Sequence, residues 1–306
     1  MLTPPFLKKG DIIGIAATAR KISLEELAEA VKLIESKGYE AQFAPNLFAV
    51  DHQFAGSDAQ RSSDLQALID DKNVKAILIA RGGYGTMRIV DEINFDVLFE
   101  NPKWLIGYSD VTVLHSALNL KNIASLHATM PINFTKNEEA TDSLFKVLAG
   151  QKVSYTYAFN ESENKVLFKN GTVTAPVVGG NLSLLYAMQG SKTDIDTVGK
   201  ILFLEDLDEY LYHIDRMILS LKRAGKFDNL AGLIIGGMSD MRDNAVPFGK
   251  TAEQIIAHHL SDKNYPICFD FPCGHIDCNL ALPLGIEASL EIKNDQVNLS
   301  YINGNA

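Results

Sequence analysis

Cysteine is scarce in this sequence: Cys268, Cys273 and Cys278 are the only three in 306 residues. So small and odd a set cannot build a disulfide framework, so reduced thiols and a cytoplasmic setting are expected. Long apolar runs are missing as well, and none approaches the roughly 20 residues of a membrane-spanning helix. The opening from Met1 to Asp11 lacks the apolar segment behind basic residues that marks a secretory leader. Positive charge is in deficit, with 28 Lys and Arg against 38 Asp and Glu, a balance of −10. That deficit argues against a broad basic footprint, and so against nucleic acid or a membrane surface as partner. Small molecules and peptides remain open.

Internal repeats and low-complexity tracts are also absent. What is there is an ordinary globular composition, 46% hydrophobic and 22% charged, which excludes wholesale disorder. One hydrophobic core rarely serves a chain this long, so two domains are expected. In the first half, short apolar runs alternate with amphipathic stretches. Asp11–Ala17 reads as a buried strand. Leu24–Lys37 then carries Leu24, Leu27, Ala28, Val31 and Ile34 at helical steps, with Ser23 placed to cap it and Gly38 to stop it. The alternation continues with strands over Tyr39–Ala44, Ala76–Ala80 and Trp104–Tyr108, and helices over Ser57–Asp70, Thr86–Ile93 and Val111–Leu120. This spacing predicts an α/β domain over 1–135, built on a parallel sheet covered on both faces. Residues 136–169 read as a polar connector with one helix, Ala140–Leu148. From 170 to 306 shorter strands predominate: Gly171–Val178, Lys200–Glu205, Gly232–Gly236, Pro266–Phe269 and a broken run over Ala288–Leu299. Helices over Asn181–Gln189, His213–Ala224 and Thr251–Leu260 make this a smaller β-rich α+β domain.

Ligands of parallel α/β sheets gather at the carboxyl ends of the strands, which directs attention to the turns there. Arg81-Gly82-Gly83-Tyr84-Gly85 follows the third strand. Its glycines let backbone N–H groups face a ligand, as an oxyanion hole requires, or simply form a glycine-rich turn. Gly107-Tyr108-Ser109-Asp110 runs from a buried strand straight into a helix. Ser109 there is either an exposed nucleophile on a strand-to-helix elbow or, with Asp110, a helix cap. A nucleophilic serine needs a base and the base an orienting acid. Of seven histidines, His275 lies in a turn-rich segment after a strand, where a side chain can be aimed. Glu205 ends a fully apolar strand and is the candidate acid; both also read as ordinary solvated residues. The three cysteines around His275 fall at five-residue steps, without the paired turns of a structural zinc site, so no metal is expected.

Several segments in order resemble the LD-carboxypeptidases, a family of serine peptidases. They are Lys9-Gly-Asp-Ile-Ile-Gly-Ile15, Ala80-Arg-Gly-Gly-Tyr-Gly85, Ile106-Gly-Tyr-Ser-Asp-Val-Thr112 and Val178-Gly-Gly-Asn-Leu-Ser-Leu-Leu185. Leu204-Glu-Asp206, Ile214-Asp-Arg-Met217 and Cys273-Gly-His275 complete the set. The resemblance implies a flavodoxin-like N-terminal domain, a smaller C-terminal domain, a homodimer, and a triad of Ser109, Glu205 and His275. The first domain would carry the nucleophile and the second the Glu and His. It also implies hydrolysis of the L,D-bond that holds terminal D-alanine in cytosolic muropeptides, without a cofactor. The first turn departs from the family's Ala-Pro-Ser, reading Ala17-Thr18-Ala19. Backbone N–H groups of Gly83 and Asp110 are the candidate oxyanion hole. Arg81, Gly82 and Tyr84 are the candidate substrate contacts, with Arg81 either holding the terminal carboxylate or pairing within the fold. Two other readings stay open: a microcin-immunity-type peptidase acting on aminoacyl-nucleotide antibiotics, and a non-catalytic peptide-binding module.

Overall fold

A computed structural model describes residues 1–159 and 168–301; the part of the expected connector at 160–167 and the last five residues lie outside the described residues. Thirteen strands form two sheets among the described residues. The first has the order β11-β5-β4-β3-β1-β2, from β1 (Ile12–Ala16), β2 (Glu40–Phe43), β3 (Val74–Ile79), β4 (Trp104–Gly107), β5 (Ser125–His127) and β11 (Leu282–Leu284). Its pairings are parallel except that of β11, which runs antiparallel to β5. Apart from Ile12 and Lys75, which are half-buried, the residues of the central strands β1, β3 and β4 are apolar and buried, as a sheet covered on both faces demands.

The second sheet has the order β10-β9-β8-β7-β12-β13-β6. Here β7 (Gly171–Asn181), β8 (Ile201–Leu207), β9 (Gly232–Ser239) and β10 (Ile267–Cys268) pair in parallel. The strands β12 (Glu287–Lys293), β13 (Gln296–Tyr301) and β6 (Ser154–Ala158) add an antiparallel wing. The expected α/β architecture, with a parallel first sheet and a separate β-rich region, holds.

Helices α1 (Leu24–Ser36) and α2 (Asp58–Asp70) form where the sequence places them, because both begin with a full capping box, Ser23 with Glu26 and Ser57 with Gln60. Leu27, Ala30 and Ile34 make the buried stripe of α1. Five further helices follow among the described residues: α3 (Thr112–Leu120), α4 (Glu138–Leu148), α5 (Leu182–Ala187), α6 (Leu211–Arg223) and α7 (Ala252–His259). No helix among the described residues is long and apolar enough to cross a membrane.

Three features differ from expectation. Thr86–Ile93 is not one helix but two 3₁₀ turns, Thr86–Arg88 and Val90–Glu92. Gly85 supplies no side-chain cap there, and tertiary hydrogen bonds hold Thr86 instead. The stretch read as a polar connector contains β6, whose tyrosines are anchored: Tyr155 donates to Ala281 O at 2.7 Å and Tyr157 to Phe269 O. The third is β11, only Leu-Pro-Leu, which returns late in the chain to the edge of the first sheet. Pro283 is tolerated because an edge strand has one unpaired side.

Between α3 and β5 the first sheet buries an imidazole. His115 has no exposed surface; Nε2 donates to Gly107 O at 2.9 Å and Nδ1 accepts from Ser125 Oγ at 2.9 Å. Burial pushes its pKa down to about 4. The folded chain therefore binds this proton more weakly than the unfolded chain does. Its contribution is complete above about pH 6.5 and is withdrawn, on the order of 3 kcal/mol, as pH falls to about 4. Urea unfolding at pH 7 and pH 4.5 should show a smaller acid loss for His115→Gln than for the unsubstituted protein. Equal losses would contradict this account.

Candidate active site

The site is built where β4 ends. Beyond Gly107 the chain turns through Tyr108 into Ser109, whose φ of 63° is left-handed. Such a conformation costs a non-glycine residue about 1–3 kcal/mol and persists only where neighbours fix it. Here a buried polar brace does so. Asp110 Oδ2 accepts from Thr86 N at 2.8 Å, and the hydroxyls of Thr86 and Thr18 meet at 2.7 Å. Arg61, itself buried, donates to the carbonyls of Thr18 and Gly85. Burial raises the Asp110 pKa, against the lowering effect of the Thr86 bonds and the Arg61 charge. The turns after β1, β3 and β4 are thereby locked to one another, with the Ser109 side chain half-buried at their centre.

Glu205 and His275 approach from the second sheet. Glu205, in β8, is completely buried. Opposite it the pairing of β8 with β9 shifts register: Leu204 faces Ile235, but Asp206 faces Met238. The extra residue in β9 falls at Gly236-Gly237. Gly237 N donates to Cys273 O at 2.9 Å, and a Cβ on Gly236 would lie 2.4 Å from that same oxygen. The bulge and its bare backbone let the loop carrying His275 lie directly on the strand. His275 then donates twice to Glu205 Oε2, from Nδ1 at 2.6 Å and from its backbone N at 3.1 Å. Its Nε2 lies 3.0 Å from Ser109 Oγ. Because Nδ1 faces a carboxylate it carries the proton, which leaves Nε2 free to accept from the serine. Burial lowers the His275 pKa, but attraction and hydrogen bonding to Glu205 outweigh it and leave the ring above the ordinary histidine value.

A layer of uncharged polar groups lies behind the imidazole. Cys273 Sγ is 3.3 Å from His127 Nδ1, 3.3 Å from Asn279 Oδ1 and 3.2 Å from Leu280 O. Burial holds His127 well below its ordinary pKa and the Cys273 thiol well above, so both are neutral. This contact ties β5 of the first sheet to the His275 loop of the second. Asp206 points away from Glu205, accepting from Asn181 Nδ2 at 3.0 Å and Ser183 N at 2.9 Å. Burial and the neighbouring Glu205 push its pKa up to about 7.

Ser109, Glu205, His275 and Gly82 are thus brought together. A Cβ on Gly82 would lie 3.0 Å from Ser109 Cβ and 3.1 Å from its Oγ. The backbone N–H groups of Gly83 and Asp110 have no acceptor among the described residues. Arg81 is directed elsewhere: Nη1 donates to Lys21 O at 3.2 Å and to Glu26 Oε1 at 3.4 Å. Tyr84 is exposed, its ring 6.2 Å from that of Phe54. Sequence reasoning missed Arg61, the Gly236-Gly237 bulge and the Cys273–His127 contact. The adjacent glycines inside an apolar strand were the one signal that pointed to the bulge. A serine whose proton can pass to an imidazole fixed by a buried carboxylate is chemically equipped for acyl transfer.

The family models for the LD-carboxypeptidase N-terminal and C-terminal domains match residues 13–128 and 174–290. A probable murein peptide carboxypeptidase of Bacillus subtilis is 34% identical over 295 residues, covering 94% of this chain and 91% of that protein. The microcin C7 self-immunity protein MccF of Escherichia coli is 26% identical over 326 residues, covering 96% of this chain and 94% of that one. The crystal structure of muramoyltetrapeptide carboxypeptidase from Oxalobacter formigenes superposes with a TM-score of 0.85 at 25% identity, covering 95% of this chain and 98% of its own. Matched in both halves, and similar to such relatives almost end to end, the chain belongs to the LD-carboxypeptidase family.

Proposed function

We propose that the protein is a cytoplasmic serine carboxypeptidase that releases terminal D-alanine from murein tetrapeptides. The observation that carries this reading is the chain of hydrogen bonds from Ser109 through His275 to the buried Glu205. Ser109 attacks the carbonyl of the L,D-bond while His275 Nε2 takes its proton. Glu205 stabilises the imidazolium that forms. The tetrahedral oxyanion is received by the N–H groups of Gly83 and Asp110, the latter at the positive end of the turn leading into α3. His275 next delivers its proton to the departing amine, and water repeats the sequence to free the acyl group. The murein substrates in the relatives' names support this choice of peptide. Likeness to the self-immunity protein supports a second reading, hydrolysis of aminoacyl-nucleotide conjugates at the same serine.

Mass spectrometry on purified protein separates the two. D-alanine should leave a murein tetrapeptide faster than an aminoacyl sulfamoyl adenosine is cleaved, and the reverse order would transfer the proposal to the second reading. Ser109→Ala should lower kcat roughly 10⁴-fold or more with unchanged thermal stability. Retention of a tenth of the rate would exclude the serine mechanism. Only neutral His275 can accept the serine proton, so kcat/KM should rise with pH on a limb above 6.5. Glu205→Gln, which removes the attraction that raises this ring, should move the limb to lower pH. A limb that stays in place would deny Glu205 its role. Gly82→Ala should cost roughly 10²-fold in kcat by crowding the nucleophile, while urea unfolding stays close to that of the unsubstituted protein.

A further inference from the structure

A carboxypeptidase must recognise a free carboxylate on the leaving amino acid, and Arg81 is engaged with Glu26 and Lys21 O. Another place offers itself on the far side of the imidazole. A cavity of about 200 Å³ is lined by His275 and, among the described residues, not by Ser109. In acyl transfer the acyl part sits over the nucleophile, while the leaving amine must reach the protonated base. A space that touches the base alone is therefore on the leaving-group side, and its volume suits one small amino acid.

Three of the residues that line this space, Lys136, Asn279 and Tyr108, carry the donors that matter here. Lys136 is exposed, and its ammonium has no acceptor among the described residues. Asn279 is 3% exposed. Its Oδ1 is taken inward by Gly274 N and the Cys273 thiol, and its Nδ2 is a buried donor with no partner among the described residues. Leaving such a donor unpaired costs about 1–3 kcal/mol, which an incoming acceptor would recover. Tyr108 accepts from Asn133 Nδ2 at 2.8 Å, so its own O–H remains to be donated. Burial pushes the Tyr108 pKa up to about 12, keeping that proton in place. One cation and two neutral donors form an acceptor-hungry set suited to a carboxylate, which offers about four lone pairs. Asp277 stands on the exposed rim, where water screens it.

We propose that Lys136, Asn279 and Tyr108 form the binding site for the α-carboxylate of the departing amino acid, and that Lys136 determines the preference for a free terminal acid. This assignment rests on the carboxypeptidase reading above. The test measures kcat/KM on a murein tetrapeptide ending in free D-alanine and on the same peptide ending in D-alaninamide. The unsubstituted protein should prefer the acid, and Lys136→Met should reduce that preference at least tenfold, chiefly through KM for the acid. Lys136→Arg should restore part of it, and Lys146→Met, a control on α4, should leave it unaltered. If the unsubstituted protein releases nothing from either peptide, the carboxypeptidase reading fails and the site fails with it. If it prefers the acid and Lys136→Met preserves the ratio, the site alone is overturned.

Discussion

The arrangement of both sheets around the cleft depends on one buried carboxylate. Glu205 has no exposed surface, and taking a carboxylate out of water costs several kcal/mol unless donors replace the lost hydration. Its Oε1 has no partner among the described residues, so nearly all the compensation there comes from the two N–H groups that His275 directs at Oε2. The His275 loop must therefore lie flat on β8 and β9. The bulge at Gly236-Gly237 is what makes that approach sterically possible. The same pair of bonds fixes the tautomer and plane of the ring, so Nε2 faces Ser109.

Neutrality behind the imidazole is the counterpart of that charge. His127 and Cys273 could each carry a charge elsewhere, but burial holds both uncharged. No second cation therefore competes with His275 for Glu205 from that side. On the other sheet, the left-handed Ser109 is held by contacts that leave its own hydroxyl uncommitted except toward His275. Arg61, Thr18, Thr86 and Asp110 exchange hydrogen bonds among turns and do not reach the serine oxygen. The scaffold bears the strain and the Ser109 hydroxyl stays free.

What the sequence makes legible is local. The helix α1 announces itself through its Ser23 cap and apolar stripe, and β1, β3, β4 and β8 through short buried runs. Ser109, Glu205 and His275 stand out because each follows or ends such a run, and the structure joins their side chains in one chain of hydrogen bonds. The unread parts depend on partners far away in the chain. Thr86 has a helical pattern around it but is bound by Asp110 and Thr18. With three residues each, β5 and β11 are too short to show a period. The short strand β6 lies in a stretch that reads as a polar connector, because the groups that anchor its tyrosines, Ala281 O and Phe269 O, lie more than a hundred residues away.

The late return of β11 to the first sheet sets an order of assembly during synthesis. Five parallel strands of that sheet are complete once residue 127 has left the ribosome, but the edge beside β5 stays open until Leu282–Leu284 emerge. Pairing across more than 150 residues is slow because a long loop must close before the contact repays it. His275 precedes β11 by only a few residues, so the same closure that seals the edge brings its imidazole to Ser109. A nascent chain stalled between residues 128 and 274 holds the Ser109 elbow with no imidazole beside it, and the hydrogen bonds linking Ser109, His275 and Glu205 form only once the His275 loop has emerged.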